Sequence, residues 1–248
     1  NQCIQSGTPY DFTFPFKKLT GEQIWVRTFA RVEKENGKPV RIIGNIIDVT
    51  ETKKIQERLK YRNSLGEAIK KISTILITQQ KTNYDEILKI LGTTVKVNRS
   101  YLFQFREKGK VIDNINEWCS NNTKPQIEIL QNLKAELFQW TIDKLKNNET
   151  IIITNIYDLP EVAVEEKKSF AEQKIKSLVI IPIFTNGKTL WGFMGFDDTE
   201  NFRQWNEFEV EVLTIVSEML RGDIERNKTQ IKLETSRQNY HDIFNSVS

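Results

Sequence analysis

The carboxylates Asp197 and Asp198 stand side by side just before Thr199 and Asn201. That spacing suits a bound cation or an acid and base pair, and it equally suits a pair that holds a loop or caps a helix. The two cysteines, Cys3 and Cys119, are far apart and lack metal-ligand spacing. They point to a reducing compartment rather than a disulfide framework, with Cys119 read as a buried structural thiol. The sequence has one histidine, His241, a residue type that can titrate near neutrality or sit as an ordinary surface side chain. Glu165-Glu166-Lys167-Lys168 reads as a solvated helix face, the alternative being a docking face for a partner. There is no glycine-rich phosphate loop, no Ser-His-Asp set within residues 65–226 and no kinase ATP-site signature, so the chain is not expected to catalyse a reaction itself.

The elements that must position these residues belong to a globular protein of 248 residues, enough for one large domain or two small ones. The formal net charge is only +3, with acids and bases interleaved along the helical stretches. No concentrated basic face announces a nucleic acid, and none is expected as a partner. Asn1 opens the sequence without a signal-peptide pattern, and apolar runs such as residues 178–184 are too short to cross a bilayer. A cytoplasmic setting is therefore expected, with any membrane anchor outside these residues.

Tyr10, Phe12, Phe14 and Phe16 alternate strictly, the period of a strand with one buried face. Residues 24–32 and 40–49 follow as two more strands across Asn36-Gly37, a dipeptide suited to a tight hairpin. Three strands alone bury too little surface for independent stability, so this stretch reads as half a domain. Ile55, Leu59, Leu65, Ile69, Ile72 and Leu76 then mark a long charged helix. A second helix over 85–97 leads into strands at 99–105 and 111–120. Helical spacing returns over 135–146, a short strand over 151–154 and a polar helix over 161–173. Residues 177–184 and 189–196 form a hairpin through Asn186-Gly187. From residue 204 to about 236 a long helix carries Leu220, Ile224 and Ile231 near heptad spacing, with a four-residue slip. Asn227 would sit in that stripe as a buried amide fixing helix register, or else face water.

The pieces Gly21-Glu22-Gln23-Ile24-Trp25-Val26-Arg27, Gly37-Lys38-Pro39-Val40 and Gly44-Asn45-Ile46-Ile47-Asp48-Val49-Thr50-Glu51 resemble the C-terminal half of a PAS sensor domain. The resemblance implies that Asp48 and Thr50 tie the last strand to the helix that leaves it. Glu117-Trp118-Cys119, the strand Ser177-Leu178-Val179-Ile180-Ile181-Pro182-Ile183 and Trp191-Gly192-Phe193-Met194-Gly195-Phe196-Asp197 are similar to GAF domains of bacterial multi-sensor proteins. Arg237-Gln238-Asn239-Tyr240-His241-Asp242-Ile243-Phe244-Asn245 resembles the opening helix of another PAS domain. The organisation expected is half a PAS domain over 1–50, a linker helix over 51–64, a GAF domain over 65–226, then a linker helix and the start of a second PAS domain over 227–248. The fold class is α+β, a GAF-like antiparallel sheet flanked by helices and preceded by the three-strand half domain.

These resemblances imply a sensory input module that relays a signal through dimeric helices to an output domain outside these residues, a histidine kinase or diguanylate cyclase. Asp48, Thr50, Leu220, Ile224 and Asn227 are the relay candidates. The ligand pocket of such a fold is expected between Phe103, Trp118, Phe138, Trp140, Ile153 and Ile181, which could equally be plain core. No cofactor is required. A bilin is disfavoured because photoreceptor GAF domains pair their cysteine with a histidine, and haem held by histidine because residues 65–226 contain none. The cyclic-nucleotide pattern of the family is absent, and His241 lacks the context of a phosphorylated kinase helix. The partners expected are a second copy of the chain, the attached output domain and a small-molecule ligand. A cofactor-bound light or redox sensor, and a ligand-free dimerisation spacer, remain open alternatives.

Overall fold

The computed structural model describes residues 9–79 and 81–247, and residues up to Ser64 form one compact unit while those from Leu65 form a second. Cys3 and the side chain of His241 lie outside the described residues. In the first unit, strands β1 (Tyr10–Lys17), β2 (Gln23–Glu35) and β3 (Lys38–Asp48) make an antiparallel meander in that order. Asn36 and Gly37 turn the β2–β3 hairpin with φ angles of 49° and 77°, the left-handed pair that matches strand twist. Ile24, Val26, Thr28 and Ala30 of β2 are buried on one face. The aromatic face of β1 departs from its expected burial: Phe12 and Phe16 are 51% and 48% exposed, although Phe12 contacts the rings of Tyr10 and Phe14. Alternation fixed the strand, but burial needs a covering layer as well.

Helix α1 (Thr50–Thr78) starts at a corner built by two short side chains. The Thr50 amide and hydroxyl both donate to Asp48 Oδ1, at 2.9 and 2.6 Å, and the Trp25 amide donates to Thr50 Oγ1 at 2.9 Å. These bonds hold the Asp48 carboxyl below its ordinary range.

The second unit is α+β. Its six strands are β4 (Arg99–Arg106), β5 (Val111–Cys119), β6 (Leu133–Lys134), β7 (Ile151–Ile153), β8 (Ser177–Thr185) and β9 (Thr189–Asp198). They form one antiparallel sheet ordered β6-β5-β4-β9-β8-β7. Helix α2 (Tyr84–Val95) is capped by Asn83, whose side chain accepts from the Glu86 amide. It packs on β4 and β5, and α5 (Glu207–Val247) packs on β8. The stretch expected as one helix over 135–146 is a 3-10 turn, Ala135–Phe138, followed by α3 (Gln139–Lys146). Likewise a 3-10 turn, Glu161–Ala163, precedes α4 (Val164–Glu172). Helix α5 passes residues 227 and 236 without a break. Among the described residues no helix is long and apolar enough to cross a membrane.

A candidate ligand cavity and its polar floor

Side chains alternate across a strand, so β4, β8 and β9 each offer one row to α3 and α4. Tyr101, Phe103, Ile180 and Phe193 form that row and, with Ile142 and Phe170 from the helices, enclose a cavity of about 60 Å³. Phe103 and Phe193 stack with centroids 4.9 Å apart, and Tyr101 meets Phe103 edge-on at 5.3 Å. Gly195 leaves room for the Tyr101 ring, which lies within 2.1 Å of where a β-carbon would stand.

Of the six pocket candidates, Phe103 and Phe138 line the cavity, while Ile153 and Trp140 belong to the surrounding core. Trp118 and Ile181 do not line it. The reason for Trp118 is a bulge: Leu102 pairs with Asn116 but Phe103 pairs with Asn114. The extra residue reverses the facing of β5 beyond it, and Trp118 lies against Gly92 of α2 instead. Ile181 alternates with Ile180 and falls on the face away from the cavity. Tyr101, Thr141 and Phe193 are wall residues that sequence reasoning passed over. Phe193 carried a signal in its strand period, whereas Thr141 carried none.

The Tyr101 hydroxyl leads out of the cavity wall into a buried polar floor. It donates to Asp197 Oδ1 at 2.9 Å, and Arg99 Nε donates to Asp197 Oδ2 at 3.0 Å, with both side chains of the ion pair 1% exposed. Burial pushes the Asp197 carboxyl up to about 6 against the pull of Arg99, and it raises the Tyr101 hydroxyl well above its usual value. Asp198 points the other way and its Oδ1 accepts from the amides of Glu200 and Asn201 at 2.9 and 2.7 Å. The adjacent carboxylates are thus divided between a core ion pair and a loop. Among the described residues no group of three or more His, Cys, Asp or Glu side chains is placed to hold a metal. Cys119 is not in the cavity wall, and burial with Glu117 nearby pushes its thiol up to about 12, which makes it a poor nucleophile at neutral pH.

Because the folded chain holds the Asp197 proton more tightly than an unfolded chain does, this group's contribution to stability is fully present below its ordinary value near 4. It is lost as pH rises through about 6. Stability measured by denaturant at a series of pH values should therefore show this fall between those limits, and Asp197→Asn should flatten it.

The relay candidates on α5 are also placed by the structure. Leu220 and Ile224 are 1% and 5% exposed inside the second unit, so they are not available as a stripe between two chains. Asn227 does not act as a lone register amide either. Its Nδ2 donates to Asp223 Oδ2 at 3.1 Å, Tyr84 Oη donates to the same oxygen at 2.9 Å, and Arg226 pairs with Asp223 while donating to the Leu76 carbonyl at 2.6 Å. This clasp joins the end of α1, the start of α2 and the middle of α5. Tyr84→Phe removes a donor to a buried carboxylate and is expected to cost about 1–3 kcal/mol, measurable by urea denaturation.

The sequence matches the GAF domain family over residues 81–222 and a PAS fold over residues 1–46. Among curated relatives, the methanogenesis regulatory histidine kinase FilI of Methanothrix harundinacea is 30% identical over 209 residues, 80% of this chain and 23% of that protein. The circadian input-output histidine kinase CikA of Thermosynechococcus vestitus is 29% identical over 155 residues, 57% of this chain and 21% of that protein. The chain thus spans less than a quarter of the length of either.

Solved structures share the fold at low identity. The phycocyanobilin-bound GAF domain from a cyanobacterial phytochrome matches with a TM-score of 0.53 at 17% identity, covering 68% of this chain and 96% of that one. The far-red absorbing dark state of JSC1_58120g3 with bound biliverdin matches with a TM-score of 0.56 at 18% identity, covering 66% and 99%. These structures correct the expectation that set bilins aside: GAF domains of the fold shared here hold bilins, so the lack of a histidine in residues 65–226 is not ground for setting them aside. In this chain Phe103, Phe138 and Phe193 line a cavity of about 60 Å³, and these rings are the ones that a larger guest would displace. Sheet order, helix placement and the match over residues 81–222 agree, and the chain belongs to the GAF domain family, with a PAS-fold segment preceding that domain.

Proposed function

We propose that this chain is a sensory input module in which a small molecule, bound in the GAF cavity, alters the packing of α5 and so signals to an attached output domain. The apolar cavity in a GAF sensor region homologous to those of histidine kinases is the observation that carries this reading. Strand β8 is a wall shared by two compartments. Leu178 and Ile180 belong to the cavity cluster, whereas Val179, Ile181 and Ile183 are buried on the other face of the strand that α5 packs on. A ligand that favours one arrangement of β8 and α5 by about 1–3 kcal/mol shifts their populations several-fold or more.

In this reading the output domain is a histidine kinase lying outside these residues, the setting is cytoplasmic, and the chain itself catalyses nothing. The chain works as a homodimer through the exposed apolar positions of its long helices, Ile55 and Leu59 on α1 and Ile231 on α5, which are 58–62% exposed. Native and denaturing mass spectra of the purified chain test it. A dimer that carries or takes up a small molecule is the expected result; a monomer that takes up none would sink the reading.

A second reading is favoured by the bilin-bound structures of the same fold. The cavity opens around a bilin and the module senses light. Expression with biliverdin followed by an absorption scan separates the two, because a visible band that stays with the protein belongs only to the second.

A further inference from the structure

The cavity wall has no charged side chain. Its polar members are Tyr101, whose hydroxyl is engaged by Asp197, Ser169 and Gln173, which bond to each other at 3.2 Å, and Thr141. Thr141 lines the cavity and is 6% exposed; its Oγ1 is closed off from the cavity as it stands and has no partner among the described residues, although its amide donates to Glu166 Oε1 at 3.1 Å. An orphaned hydroxyl in an apolar wall is costly unless something that enters the cavity meets it. A charged guest would find no counter-charge there and would lose its hydration uncompensated.

Resting on the sensor reading above, we propose that the cavity takes a small uncharged molecule, one ring or smaller, whose single hydrogen-bonding group meets Thr141 Oγ1. The stacked pair Phe103 and Phe193 supplies the apolar contact. At about 60 Å³ the cavity is less than half the roughly 150 Å³ that holds a benzene. A full ring therefore needs Phe138, the partly exposed ring at the end of a 3-10 turn, to swing outward.

Phenol, toluene and benzoate share a ring and differ in the group presented. Their binding is to be measured by methyl NMR titration on the whole chain, on Phe138→Ala, which enlarges the cavity, and on Phe138→Ala with Thr141→Val, which removes the hydroxyl at constant shape. Phenol is expected to bind about 3- to 10-fold tighter than toluene, benzoate more weakly than both, and Thr141→Val is expected to erase the preference for phenol. Equal binding of phenol and toluene, a preference that survives Thr141→Val, or benzoate as tight as phenol overturns the inference and leaves the sensor reading standing. If none of the three binds any of the proteins but another molecule copurifies, the ligand class is wrong. If none binds and none copurifies, both readings fall.

Discussion

Replacing Asp197 with alanine will destabilise the GAF unit by about 3–5 kcal/mol. The Arg99 guanidinium that remains is 1% exposed and would sit in the core without its carboxylate, and the Tyr101 hydroxyl would lose its acceptor. Against a typical domain stability of about 5–15 kcal/mol, this is a large fraction. The cost comes from the guanidinium and hydroxyl donors left buried without an acceptor rather than from the Coulombic worth of the pair. The double replacement Arg99→Met with Asp197→Leu should therefore recover most of the loss. Urea denaturation followed by tryptophan fluorescence would give both values. A single replacement costing under 1 kcal/mol would show that water reaches this floor.

Leu220→Lys will unfold or nearly unfold the same unit, at a cost of about 4 kcal/mol or more. The side chain it replaces is 1% exposed, and a lysine there brings an unpaired charge into the core. The loss should be independent of protein concentration over about a hundredfold range, as expected for packing within one chain. A difference between Leu220→Lys and the unsubstituted chain that changes with concentration would return Leu220 to an interface between chains. Ile231→Lys, on an exposed position of the same helix, should leave the packing within the unit nearly unchanged and weaken only the dimer.

These two replacements also mark what the sequence could and could not reveal. Strand existence and the hairpins at Asn36-Gly37 and Asn186-Gly187 were legible, because their signals are local and both pairs adopt positive φ. The family resemblance at residues 177–183 and 191–197 was legible for the same reason. Facing was harder. Leu220 and Ile224 repeat at the spacing of a coiled-coil stripe, and the same spacing serves a helix laid on its own sheet. Trp118 would share the face of Ile112 in an unbroken strand, and the bulge beside Asn114 that reverses it leaves no local signature. Residues 177–185 are buried on nearly every position, so period alone could not decide between Ile180 and Ile181. The orphaned hydroxyl of Thr141 is a property of three-dimensional packing, and nothing around residue 141 distinguishes it in the chain.

The central claim is that filling the cavity is felt by α5 through the shared strand β8. Amide hydrogen exchange of the whole chain, with and without saturating phenol, tests it most directly. The account predicts altered protection near Thr141 in α3 and, beyond the sheet, in α5 around residues 220–227. Slowed exchange confined to the cavity walls, with α5 identical in both samples, would contradict it.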